Sequence, residues 1–161
     1  MSIPSYWSFT QVAAYLEARR DILARHLHEL PTPKIQIVSA RGGVLLAWEA
    51  STIAYYKQHV QGWEEDEPRP EPITYLSRAA VAQRLGLARD TLKIYCKRGV
   101  GPTPDIYVVT SPLTPGMPER RTYGWLPETV DAWQAARPGR GYRRDIHDPD
   151  YKKAAKAAKE G

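Results

Sequence analysis

The stretch Tyr75-Leu76-Ser77-Arg78-Ala79-Ala80-Val81-Ala82-Gln83-Arg84-Leu85-Gly86, continued as far as Gly99, decides the reading of the fold because the chain contains it twice. Laid against residues 6–30 at a constant offset of 69, it pairs Tyr6 with Tyr75, Ser8 with Ser77, Val12 with Val81, Ala13 with Ala82, Leu16 with Leu85, Arg20 with Arg89, Asp21 with Asp90 and Leu23 with Leu92. Eight identities in 25 positions, mostly apolar at helical spacing, mark a duplicated unit. Further on the offset drifts to 77, where Trp48, Thr52, Ile53 and Tyr56 meet Trp125, Thr129, Val130 and Trp133, so the repeat spans a whole small domain.

Working outward, Ser8 followed by Gln11 is a capping-box pattern opening a helix over about 9–17. A second helix over 19–29 sets Ile22, Leu23, Leu27 and Leu30 on one side and stops at Pro31 and Pro33. Residues 35–38 and 44–47 flank the glycine-containing tip 39–43 of a hairpin, and a helix over 51–60 closes the unit. The second unit repeats the order. Ser77 caps a helix to Leu85, Gly86 makes the turn, 88–98 is the next helix, and Gly99 ends it. Residues 106–110 pair with 122–125 across a Pro-rich tip, 111–121, and Pro127 opens a helix to 136. Between the units, residues 62–74 are acidic and then carry Pro68, Pro70 and Pro72, which predicts a semi-rigid linker reaching up to about 40 Å. The expected fold is mainly α with small β wings: two tandem winged helix-turn-helix modules, 1–61 and 75–136, joined by the linker 62–74 and followed by a basic tail, 137–161.

Composition bounds the rest. At 161 residues and 42% hydrophobic content the chain can bury one medium core or two small ones, and the repeat argues for two. Cys96 is the sole cysteine, so no intramolecular disulfide forms. No stretch is apolar for the roughly 18 residues of a membrane span and no secretory leader is recognisable, so no membrane partner is expected and the expected location is cytoplasmic, nucleoid-associated or in the host cytoplasm if phage-encoded. Charge is uneven. Residues 1–61 carry six Lys/Arg against four Asp/Glu, 62–74 one against five, and 75–161 sixteen against nine. The basic character of the second unit and its tail is the footprint of a protein that displaces counterions from phosphates.

Residues 76–87, then Thr91-Leu92-Lys93-Ile94-Tyr95, then Gly99-Val100-Gly101-Pro102, resemble the DNA-binding domain of the MerR superfamily, most closely its excisionase-like branch of phages and mobile elements. Thr91, Lys93 and Tyr95 match that family's recognition-helix string, with Ile94 in place of the usual aromatic. The resemblance implies a winged helix-turn-helix with the 88–98 helix in the major groove and Lys93 and Tyr95 near the phosphate backbone. The long dimerising helix and cysteine-bearing effector domain of MerR sensors are not present in the sequence. The first unit departs further, with Ala24, His28 and Leu30 where the second has Lys93, Lys97 and Gly99.

The candidate DNA contacts are therefore Ser77, Arg78, Arg89, Thr91, Lys93, Tyr95, Lys97 and Arg98 in the second unit and Arg19, Arg20, Arg25 and His28 in the first. Arg41 and the pair Arg120 and Arg121 sit at wing tips, a natural place for minor-groove arginine. Arg137, Arg140, Arg143 and Arg144 belong to a flexible Arg-Gly-Pro arm. Each has a plainer alternative: a solvated helix face, an ordinary wing tip, a scaffold or dimerisation unit, or a disordered terminus. His26, His28 and Cys96 lack metal-ligand spacing, and Trp48, Trp125 and Trp133 read as core anchors. No nucleophile-base pair, Gly-rich phosphate loop or paired carboxylates are recognisable, so neither catalysis nor a cofactor is expected. The expectation is sequence-specific binding of double-stranded DNA by a transcriptional regulator or nucleoprotein-assembly factor of a phage, plasmid or integrative element. The alternatives are a recombination directionality factor, or an adaptor whose first unit binds a partner protein.

Overall fold

The computed structural model describes residues 2–59, 70–110, 116 and 118–137. In the first repeat β1 (Ser5–Ser8) runs into α1 (Phe9–Tyr15), followed by α2 (Arg20–Arg25), a 3-10 turn (Leu27–Glu29), β2 (Ile35–Val38), β3 (Val44–Trp48) and α3 (Ala50–Gln58). The second repeat gives β4 (Ile73–Leu76), α4 (Arg78–Leu85), α5 (Arg89–Lys97), β5 (Ile106–Val109), β6 (Arg121–Gly124) and α6 (Pro127–Ala136). Ser8 and Ser77 cap α1 and α4 alike, their Oγ atoms accepting from the N–H groups of Gln11 at 3.3 Å and Ala80 at 3.2 Å. Of the capping box only this half forms, since Oε1 of the buried Gln11 has no partner among the described residues.

The expectation of a mainly α chain with small wings, built as two tandem winged modules, is overturned. All six strands lie in one mixed sheet of order β4-β2-β3-β1-β5-β6, nearly barrel-shaped, and the fold is α/β. Each repeat lends a strand to the other. β1 runs parallel to β5, with Tyr6 opposite Val108, and β4 runs parallel to β2, with Tyr75 opposite Ile37. The two edges then meet. Leu76 and Trp125 exchange backbone hydrogen bonds of 2.7 and 3.0 Å, repeating the pairing of Trp7 with Trp48 in the first repeat. The physical reason is the outer edge of each hairpin: its open N–H and C=O groups need partners. The short strand before the other repeat's capped helix supplies them. Ile73 and Thr74, expected at the end of the linker, are part of β4.

Strands β1, β2, β4 and β5 point one way and β3 and β6 the other, so a half-turn about the barrel axis exchanges the repeats. The core follows the same symmetry. Ile35, Ile37 and Ala47 from one repeat and Tyr75, Ile106 and Val108 from the other fill the shared interior. Outside it, Val12, Trp48 and Ile53 form a small cluster beneath α1, and Val81, Ala82, Leu92, Trp125 and Val130 form its counterpart beneath α4 and α5. Both buried indoles are anchored identically, Trp48 Nε1–H donating to the Pro31 carbonyl at 2.7 Å and Trp125 Nε1–H to that of Pro102 at 2.9 Å. These acceptors open a Pro-Thr-Pro triplet that occurs at 31–33 and again at 102–104.

Candidate nucleic-acid interface

The site begins where β4 meets the hairpin of the other repeat. Ser77 N–H donates to the Val38 carbonyl at 3.0 Å, docking the end of β2 against the entrance of α4. The hairpin tip is held by Ser39, whose Oγ accepts from Gly43 N–H at 2.9 Å. Arg41 on that tip is exposed and is thereby delivered to the helices of the second repeat, not to those of its own.

Between α4 and α5 the chain turns at Gly86, whose φ of 65° lies in the left-handed region that glycine enters without strain. The turn presents α5 with Leu92 inward and Thr91, Tyr95 and Cys96 half-buried beside it. Arg89, Lys93 and Lys97 follow at i, i+4 and i+8 as one exposed stripe, and Ile94 stands beside them 47% exposed. Three open hollows adjoin along this end of the molecule. One of about 510 Å³ lies between Arg41 and Arg89, one of about 360 Å³ between Arg78, Arg89 and Arg121, and one of about 520 Å³ beneath Arg78, Lys93 and Lys97. Neighbouring hollows share Ser39, Ala79 and Arg89, or Arg78, Tyr123 and Trp125, so they form a continuous concave surface. No carboxylate is among the described residues lining them.

Seven of the residues expected from sequence are thus brought together: Arg41, Ser77, Arg78, Arg89, Lys93, Lys97 and Arg121. Among the described residues Arg121 is the one of these engaged with an acid. Its guanidinium is bonded to Glu119, which raises its pKa, and it lies 4.3 Å from the Tyr107 ring centroid. Arg98 is exposed at the C-terminal cap of α5. Ser77 acts as a helix cap, and Tyr95 packs toward Trp133 with a ring separation of 6.4 Å. Arg137, expected in a free arm, caps α6 and lies 4.3 Å from the Trp133 ring and 5.0 Å from that of Tyr95. Arg120 is exposed, with its carbonyl accepting from Thr110. Arg140, Arg143 and Arg144, and most of the second hairpin tip, lie outside the described residues.

The first repeat's set does not join this surface. Arg19 caps α2 and is paired with Asp21 at 3.0 Å, while Arg20 and Arg25 are exposed along a helix of six residues. His28 lies 3.7 Å from Glu29, whose carboxyl is held below its usual range chiefly by its hydrogen bond to His26. Ile94 was not among the residues expected at this surface, although its place between Lys93 and Lys97 on the outward face follows from helical periodicity. It also missed the pairing of one repeat's hairpin with the other's helices, for which no local signal exists.

Among the described residues no helix is long and apolar enough to cross a membrane, and no group of three or more His, Cys, Asp or Glu is placed to hold a metal ion. Comparison of the chain with family models, with curated proteins and with solved structures finds no match.

Proposed function

We propose that the protein binds double-stranded DNA in a sequence-dependent way through α5, with the first repeat's hairpin tip straddling the backbone beside it. The observation behind this reading is the convergence of Arg41, Arg78, Arg89, Lys93 and Lys97 on one concave end with no carboxylate among its described lining residues. Cations gathered without counter-charges repel one another, and an arrangement that tolerates this cost suits a polyanion. With its side chains α5 is a rod about 10–12 Å across, which suits a major groove about 12 Å wide. Arg89 in its first turn would reach base edges, Ile94 a thymine methyl, and Lys93 and Lys97 the phosphates. The resemblance of residues 76–102 to the MerR superfamily supports the same reading and favours a regulator or nucleoprotein-assembly factor of a phage, plasmid or integrative element.

The test is titration of the full chain against selected and random duplexes at graded salt. With Arg89 on base edges, the four phosphate contacts of Arg41, Arg78, Lys93 and Lys97 give a slope of log affinity on log salt of about −3.6. Binding that ignores salt, or no binding to any selected duplex, would end the proposal.

A second reading, the adaptor, draws on the first repeat. Ile22 is 46% and Leu27 39% exposed, and beside them Arg19 is paired with Asp21 while His26 and His28 lie against Glu29. That surface suits a protein better than a phosphate backbone. Loss of partner binding in Ile22→Asp with DNA affinity intact would support it.

A further inference from the structure

The hollow beneath α5 differs from the other two in chemistry. Its floor is apolar, formed by Cys96, Pro102, Pro104, Tyr123 and Trp125, and its rim is cationic, formed by Arg78, Lys93 and Lys97. At about 520 Å³ it falls within the 300–1,000 Å³ typical of small-molecule sites. A phosphate backbone would use the rim but has nothing apolar to set against the floor. A bare anion has the same deficiency. The arrangement matches a molecule with an aromatic body and one terminal negative charge.

We propose that this hollow is a binding site for a small aromatic carboxylate, its ring seated between Cys96, Tyr123 and the two prolines and its carboxylate among Arg78, Lys93 and Lys97. The prolines belong to the second Pro-Thr-Pro triplet, which the Trp125 indole holds by donating its Nε1–H to the Pro102 carbonyl at 2.9 Å, so the floor is preformed. Arg78 reaches the site's interior electrostatically: burial pushes the Cys96 thiol up, and Arg78 opposes that shift. Because the same cations are assigned to phosphates above, an occupied hollow competes with DNA. That competition rests on the DNA reading, whereas the ligand site does not.

Cys96 is the sole cysteine and lines the hollow, so it reports occupancy without DNA. The full chain is treated with iodoacetamide in the presence of 1-naphthaleneacetate, of 1-naphthaleneethanol, which has the ring without the charge, or of acetate, which has the charge without the ring. The acid is expected to slow alkylation at millimolar concentration, the alcohol to need about tenfold more, and acetate to do nothing. Arg78→Ala should bring the acid to the level of the alcohol, and Thr103→Trp, which fills the hollow from its exposed edge, should abolish protection by both. Equal protection by acid and alcohol, protection by acetate, or none by the acid would overturn the proposal. A fluorescent duplex in a parallel titration separates the two readings: protection of Cys96 by the acid in a chain that binds no duplex leaves the site standing and removes the DNA reading.

Discussion

The two repeats have the same interior and different exteriors. Val12 and Val81, Ile53 and Val130, and Trp48 and Trp125 occupy matching buried places, and both indoles hold the first proline of a Pro-Thr-Pro triplet. On the surface the repeats diverge. α5 runs for nine residues and ends at Gly99 with φ 71°, whereas α2 runs for six and gives way to a 3-10 turn. At the turn before it, Glu17 is forced to a φ of 56° where the second repeat has Gly86. Asp105 closes the start of α6, accepting from Leu126 N–H at 2.7 Å and Thr129 Oγ1 at 3.0 Å, while the first repeat has Lys34 at that place. On the proposed reading, a duplicated unit whose core is retained and whose helix surface is not is divided between scaffold and site. The first repeat closes the barrel and lends Arg41; the second presents the helix.

The largest expected effect tests whether the interiors are one unit. Trp48→Ala and Trp125→Ala should each cost about 3–5 kcal/mol and lower a single cooperative transition, because the sheet is shared. Two transitions in calorimetry, with only one displaced by each substitution, would show that the repeats unfold separately.

Next come the exteriors. Arg89→Ala should cost about 1–3 kcal/mol for a selected duplex and little for a random one, while Arg20→Ala at the matching place should leave both nearly unchanged. Lys93→Ala should weaken all duplexes and make the salt slope shallower by about one unit. Equal losses from Arg20→Ala and Arg89→Ala would erase the division between scaffold and site.

The turn residues sharpen the comparison on a smaller scale. Glu17→Gly should stabilise the chain by about 0.5–1 kcal/mol by relieving a left-handed glutamate, and Gly86→Ala should destabilise it by about 1–2 kcal/mol. An added Cβ at Gly86 meets nothing within 4 Å, so the cost is backbone strain alone. Chemical denaturation of the two variants measures both, and the same sign for both would contradict the equivalence of the turns.

The smallest effect is ionic. Arg84 donates to Asp131 through Nε and Nη2, each at 2.8 Å, tying α4 to α6, and Tyr15 and Ala54 at the matching places offer no such pair. The guanidinium holds the Asp131 carboxyl below its usual range. A depressed carboxyl contributes stability that is present above its unfolded pKa of about 4 and is lost as pH falls below it. Asp131→Asn should therefore flatten the loss of stability below about pH 4 and, the pair being exposed, change little at neutrality. An unchanged acid limb of the stability profile would show the pair to be idle.

The sequence by itself determined the repeat, the Ser-capped helices, the hairpins and the buried places of Val12, Val81, Trp48 and Trp125, because capping and helical periodicity act over a few residues and leave a local mark; Ile22 and Leu27, expected on the apolar side of one helix over 19–29, are instead exposed where that helix gives way to a 3-10 turn. It also determined that Arg89, Lys93 and Lys97 share a helix face. Only the tertiary structure decided which strand pairs with which. A four-residue strand such as Ser5–Ser8 or Ile73–Leu76 is too short for a period of two to stand out, and it names no partner. The choice between two separate domains and one shared barrel was made by hairpin edges that had to be satisfied and by apolar faces that had to be covered, both of them contacts between residues far apart in sequence. The placing of Arg41 beside Arg89, 48 positions away, follows from that choice and was not written in either segment.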